Sequence, residues 1–158
     1  EEPEMSDAES VTRIETAKMI RAYYDAFNKG DSEAMLAFLT DNVIHDVNQG
    51  ARRVGKAAFA DFCRHMSETY EEELTGIAIM TSADGARAAA EFNVNGTYIK
   101  TDEGLPPATG QKYQLPAGTF FAITDGRITR ITTYYNLTDW LLQVAGEALA
   151  RELAQGRA

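Results

Sequence analysis

At 158 residues, with 44% apolar residues, seven Phe, seven Tyr and one Trp, the chain holds enough apolar surface for one real core, which excludes a disordered or disulfide-stapled protein. The formal net charge of −9 excludes nucleic acid as a partner, because phosphate attraction needs a basic face. One cysteine, Cys63, excludes an internal disulfide, and with only two histidines no metal cluster is recognisable, so neither metal nor cofactor is expected.

In chain order, residues 1–10 read as a disordered acidic N-terminus in which Met5 is a possible native start, and residues 11–155 as a single domain. Val11 to Lys29 places Ile20, Tyr23, Tyr24 and Phe27 at helical spacing, and Gly30 ends that helix. A short helix over 32–39 buries Met35, Leu36 and Leu39, and a strand through "NVIHDVNQG" follows. After a turn at Gly50 and a short return through Arg53 and Val54, a third helix carries the stripe Phe59, Phe62, Cys63, Met66 and Tyr70. From Glu73 the period changes to two. "ELTGIAIMTS", "RAAAEFNVNGTYIK", "KYQLPAGTFFAIT" and "RITRITTYYN" read as four strands, with Asp84-Gly85 and Asp125-Gly126 as hairpin turns. Between the second and third lies "TDEGLPPATGQ", acidic and Pro-Pro-containing, which suits a surface loop or flap. Thr138 is the expected cap of a last helix, Asp139 to about Ala154, burying Trp140, Leu141, Val144 and Leu149. Helices, then antiparallel strands, then a helix is the order of an α+β domain, and a curved sheet closed by helices leaves a hollow where small-molecule sites lie. No apolar run is long enough for a signal peptide or membrane helix, so the expected setting is cytoplasmic, with no membrane partner.

The pair His45-Asp46 sits between Val43, Ile44 and Val47, and successive side chains on a strand point to opposite faces, so one of the two must face inward. His65, beside the Phe62–Met66 stripe, is expected to be a core or rim histidine bonded to backbone.

The order of elements resembles the nuclear-transport-factor-2-like cone fold, shared by ketosteroid isomerases and SnoaL-like polyketide cyclases. Three stretches carry the likeness: "YYDAFNKGDSEAMLAFLTDNVIHD", "GTYIK" leading into "GLPPATGQKY", and "TDGRITRITTYYNLTDWLLQVAG". The resemblance implies a cone-shaped, curved, mixed or antiparallel sheet, with N-terminal helices on its concave face and a C-terminal helix. It places Asp46 at a ketosteroid isomerase's general base and Tyr23 at its oxyanion-hole tyrosine, a constellation in which an Asp base works with a Tyr and a protonated Asp. The strand "LPAGTFFAIT" carries no second acid, and Asn136 stands where the cyclases carry a catalytic aspartate. An amide does not titrate, so Asn136 is expected to orient a substrate carbonyl or a water. On this reading Asp46 points inward with a raised pKa and His45 points outward or lies at the rim. The expected catalytic set is Asp46, Tyr23 and Asn136, and the expected substrate-binding set is Tyr24, Phe27, Phe62, Met66, Phe92, Phe121 and Tyr134.

The function so implied is proton abstraction or shuttling next to a carbonyl on a small hydrophobic molecule, by an isomerase or cyclase. Alternatives are a non-catalytic small-molecule-binding domain and an epoxide-hydrolase or hydratase-type lyase. A homodimer is expected through the outer sheet face, centred on "ITRITTYY".

Overall fold

In the computed structural model, which describes residues 6–48 and 50–156, four helices pack on one face of a six-stranded sheet. Helix α1 (Asp7–Asn28) starts four residues before the expected Val11, because Ser6 and Glu9 form a capping box that satisfies the first free amides. The expected disorder of residues 1–10 is therefore corrected for Asp7–Ser10, which are helical; residues 1–5 lie outside the described residues. Gly30, at φ 71°, turns the chain into α2 (Ser32–Ala37), capped by Asp31. Strand β1 (Leu39–Val47) pairs antiparallel with the two-residue β2 (Arg53–Val54), and α3 (Lys56–Thr69) follows.

Strands β3 (Tyr70–Thr81), β4 (Arg87–Tyr98), β5 (Lys112–Thr124) and β6 (Arg127–Tyr135) form an antiparallel meander. β1 joins it parallel to β6, which produces the order β2-β1-β6-β5-β4-β3. Asp125 and Gly126 both take positive φ, the geometry that a two-residue hairpin turn needs to match strand twist. Register breaks in β1, β3 and β6 interrupt the ladders, and such irregularities bend a sheet.

Helix α4 (Leu137–Gln155) starts two residues earlier than expected. Its cap is Asn136, whose side-chain oxygen accepts from the Asp139 amide at 3.1 Å, so Thr138 is inside the helix. Trp140, Leu141 and Val144 are buried as expected, while the Leu149 side chain lies outside the described residues. No helix among the described residues is long and apolar enough to cross a membrane.

The helix-covered face can be read from ring contacts. α1 sets Tyr24 against Phe92 of β4 and Phe121 of β5, α3 sets Phe59 against His45 of β1, and α4 sets Trp140 against Tyr98 and Tyr113. These strand residues share one alternation, and the core lies along it.

Candidate functional site

On β1 the inward side chains are Val43 and His45, both almost fully buried. The histidine ring packs edge-on against Phe59 at 4.9 Å and Phe62 at 4.6 Å between centroids. Burial, the neighbouring Arg53 charge, and an opposing contribution from Asp46 leave its pKa lowered to about 4, so the imidazole is neutral at physiological pH. Asp46 takes the outer face, where Arg52 grips both carboxylate oxygens at 2.9 and 3.0 Å. That bond is the main reason its pKa is lowered. The expectation of an inward Asp46 with a raised pKa, and an outward His45, is thus corrected. The aromatic seat offered by α3 takes the neutral ring, and Arg52, in the turn just before β2, takes the carboxylate.

Two further expectations change. Asn136 is engaged as the cap of α4, which satisfies an orphan amide and turns its side chain to a structural task. Tyr134 is 54% exposed on the outer face against Phe120, because Thr133 and Tyr135 take the inward positions of β6. With Asp46, Arg52, Arg87, Phe120, Arg130 and Thr132 it lines an open outer depression of about 370 Å³.

Of the remaining expected residues, Tyr23, Tyr24, Phe92 and Phe121 meet on the inner face. Tyr23 and Tyr24 are both buried, edge-to-face with one another at 5.2 Å and each against Phe121. Burial raises the pKa of both hydroxyls, so they are donors rather than phenolates. Phe92 is buried with them, Phe27 packs half-buried against the core, and Phe62 and Met66 are half-buried on α3. Cys63, also half-buried, has its thiol pushed up to about 11 by burial, which makes it an unreactive packing group.

Sequence reasoning missed two acids. Glu72, Gly96 and Tyr113 stand opposite one another across β3, β4 and β5. Gly96 has no side chain, and a methyl group there would overlap the Tyr113 ring. The ring therefore lies across Gly96 and its hydroxyl donates to Glu72 at 2.6 Å. Burial raises the Glu72 pKa, and none of the ion pairs among the described residues involves it. The Tyr135 hydroxyl has its pKa raised by burial and then by the charges of Glu72 and Asp102. The signal was available: Tyr70, Glu72 and Leu74 share one strand face, but a strand begun at Glu73 hides it.

Asp102 opens the Thr101–Gln111 loop. Its carboxylate accepts from the Tyr70 hydroxyl at 2.7 Å and lies 3.0 Å from His65 Nε2, and its amide donates to the Tyr98 hydroxyl. His65 is thus bonded to a carboxylate and half-exposed, instead of bonded to backbone as expected. The Tyr98 hydroxyl in turn donates to the Pro106 carbonyl. No periodicity marks a loop acid, so Asp102 carried no sequence signal. Among the described residues no group of His, Cys, Asp and Glu is arranged to hold a metal.

The model of the SnoaL-like domain matches residues 20–131. A solved structure from Silicibacter sp. TM1040, a candidate polyketide cyclase, is 58% identical with a TM-score of 0.80, covering 82% of this chain and 94% of its own. Another candidate polyketide cyclase, from Pseudomonas putida KT2440, is 56% identical with a TM-score of 0.81, covering 82% and 97%. An LEH-like epoxide hydrolase of M. tuberculosis matches at 20% identity and a TM-score of 0.64, covering 90% and 98%, a likeness of fold alone. No curated protein matches the chain.

Proposed function

The chain belongs to the SnoaL-like family, and from that premise we propose a cofactor-free acid–base enzyme that moves a proton next to a carbonyl of a hydrophobic, ring-bearing substrate, as an isomerase or cyclase. The substrate occupies the aromatic inner face, between the sheet and α1, α3 and α4. The observation that carries the proposal is Glu72, a carboxyl with a raised pKa that is in none of the ion pairs among the described residues and that one tyrosine hydroxyl orients. A carboxylate whose charged form is disfavoured by its surroundings is a stronger proton acceptor than one in water. Tyr113 holds one carboxyl oxygen and leaves the other to the substrate. Tyr135, whose hydroxyl responds to the Glu72 charge, is a donor for the oxygen that becomes negative as the proton leaves. Asp46, held by Arg52 on the outer face, has no part in this chemistry.

The test needs no knowledge of the natural substrate. Bicyclic ketones such as 1-tetralone are incubated in D2O, and exchange of the protons next to the carbonyl is followed by NMR. Wild type accelerates exchange, and Glu72→Gln loses about 10²–10⁴-fold of that acceleration. Undiminished exchange in Glu72→Gln removes Glu72 from the mechanism, while saturable binding without exchange in wild type leaves a binding domain.

The proposal extends to a homodimer formed through the outer sheet face and to a cytoplasmic setting. Exposed Phe120, Tyr134 and Met80 favour the former, and a lone unreactive thiol is compatible with the latter.

A further inference from the structure

At the edge of the sheet, His45 and Arg53 are directly opposed across β1 and β2, which places their side chains on the same inner face and within reach of each other. Both carry a buried nitrogen without a partner: Nδ1 of His45 and Nη1 of Arg53. Buried polar atoms are rarely left this way, and His45 is 3% exposed. Phe62 closes the corner, its ring 4.6 Å from the imidazole and 4.8 Å from the guanidinium carbon. None of the ion pairs among the described residues involves Arg53, and Asp46, its neighbour across the strand, is turned outward to Arg52.

A guanidinium can only donate, so whatever completes the shell of Arg53 must accept. An imidazole kept neutral beside that cation supplies a second N–H when its proton is on Nδ1. Two unpartnered donors on one face, backed by an aromatic ring, match a planar acceptor with excess negative charge. We propose that the His45–Arg53 corner binds the carboxylate of an aromatic or polycyclic acid, so that the ligand of this protein carries an anionic oxygen group as well as a ring. This rests on the reading of the inner face as a ligand site, and it does not require Glu72 to be the base.

The probes are 2-naphthoate and its neutral isostere 2-naphthamide, titrated calorimetrically and by NMR of the histidine ring nitrogens. The acid is expected to bind wild type at least ten-fold more tightly than the amide and to shift the His45 nitrogens. Arg53→Met should abolish the preference and Arg53→Lys retain part of it, with circular dichroism unchanged. Equal binding of acid and amide, no saturable binding of either, or a preference that survives Arg53→Met overturns the proposal. Should Arg53→Met not fold, wild type still decides: tight binding of 2-naphthoate with unshifted His45 nitrogens places the ligand elsewhere. Glu72→Gln is expected to keep the acid preference. A preference retained in a protein without ketone exchange supports this inference while removing the acid–base reading alone.

Discussion

His45 shows how strongly one buried side chain is governed by its neighbours. Its folded pKa of about 4 lies below the ordinary 6.5, first through burial and then through Arg53. A depressed folded pKa means that the unfolded chain binds the proton more readily. The stability is therefore complete above pH 6.5 and is lost as pH falls through the window toward 4, by roughly 3 kcal/mol for a shift of this size. His45→Gln is expected to flatten the dependence of Tm on pH between 6.5 and 4, and thermal melts across that range measure it; an unchanged slope would assign the acid sensitivity elsewhere. Asp46 is the contrast. Its pair with Arg52 is on the surface, where such pairs contribute about 0–1 kcal/mol, so Asp46→Asn should barely move Tm at pH 7.

At the scale of elements, Gly96 and the loop after β4 organise the inner face. The Tyr113 ring occupies the space a side chain at 96 would need, so Gly96→Ala must push the ring off Glu72 or part the strands. Overpacking of this kind costs about 1–3 kcal/mol, and ketone exchange should fall with it, because the carboxyl loses its orienting hydroxyl. Chemical denaturation and the D2O assay read the two effects separately. The loop itself is tied at many points: Ala108 N–H to Thr101 Oγ1, Gln111 Nε2 to the Pro107 and Val144 carbonyls, and Asp102 to Tyr70. Asp102→Asn weakens its contact with Tyr70 and His65. Faster amide hydrogen exchange confined to residues 101–111 is the expected result, with a change in global stability below about 2 kcal/mol.

For the whole molecule the outer sheet face is the unfinished surface. Met80, Phe120, Tyr134 and Val54 are each about half exposed there, among Arg87, Arg130 and Glu91. Apolar side chains grouped on a sheet face and rimmed by charge mark an association surface, and a second copy related by a two-fold axis meets the same composition. Sedimentation at micromolar concentration should show twice the 17.4 kDa chain mass, and Phe120→Glu with Tyr134→Glu should return the protein to monomer while the fold is kept. A wild-type monomer at that concentration would leave the outer face without this role.

Much of the fold was legible in the sequence because its signals are local. Helical spacing in Ile20, Tyr23, Tyr24 and Phe27, period-two alternation after residue 73 and the Asp125-Gly126 turn each depend on a few neighbouring residues and on backbone preferences. The family likeness was carried by quoted stretches of the same kind, and the inner-face positions of Tyr24, Phe92 and Phe121 follow from alternation once the strands are known. The candidate site was decided by contacts between residues far apart in the chain. Alternation required His45 or Asp46 to turn inward, but Phe59 and Phe62 of α3 and the cation of Arg52 settled which one. Asn136 could orient a substrate or cap a helix until α4 began at Leu137. Glu72 gains its orienting hydroxyl only because Gly96 lets Tyr113 reach it from 41 residues away. Local propensity selects elements, whereas the charge state and direction of a polar side chain depend on what tertiary packing brings beside it.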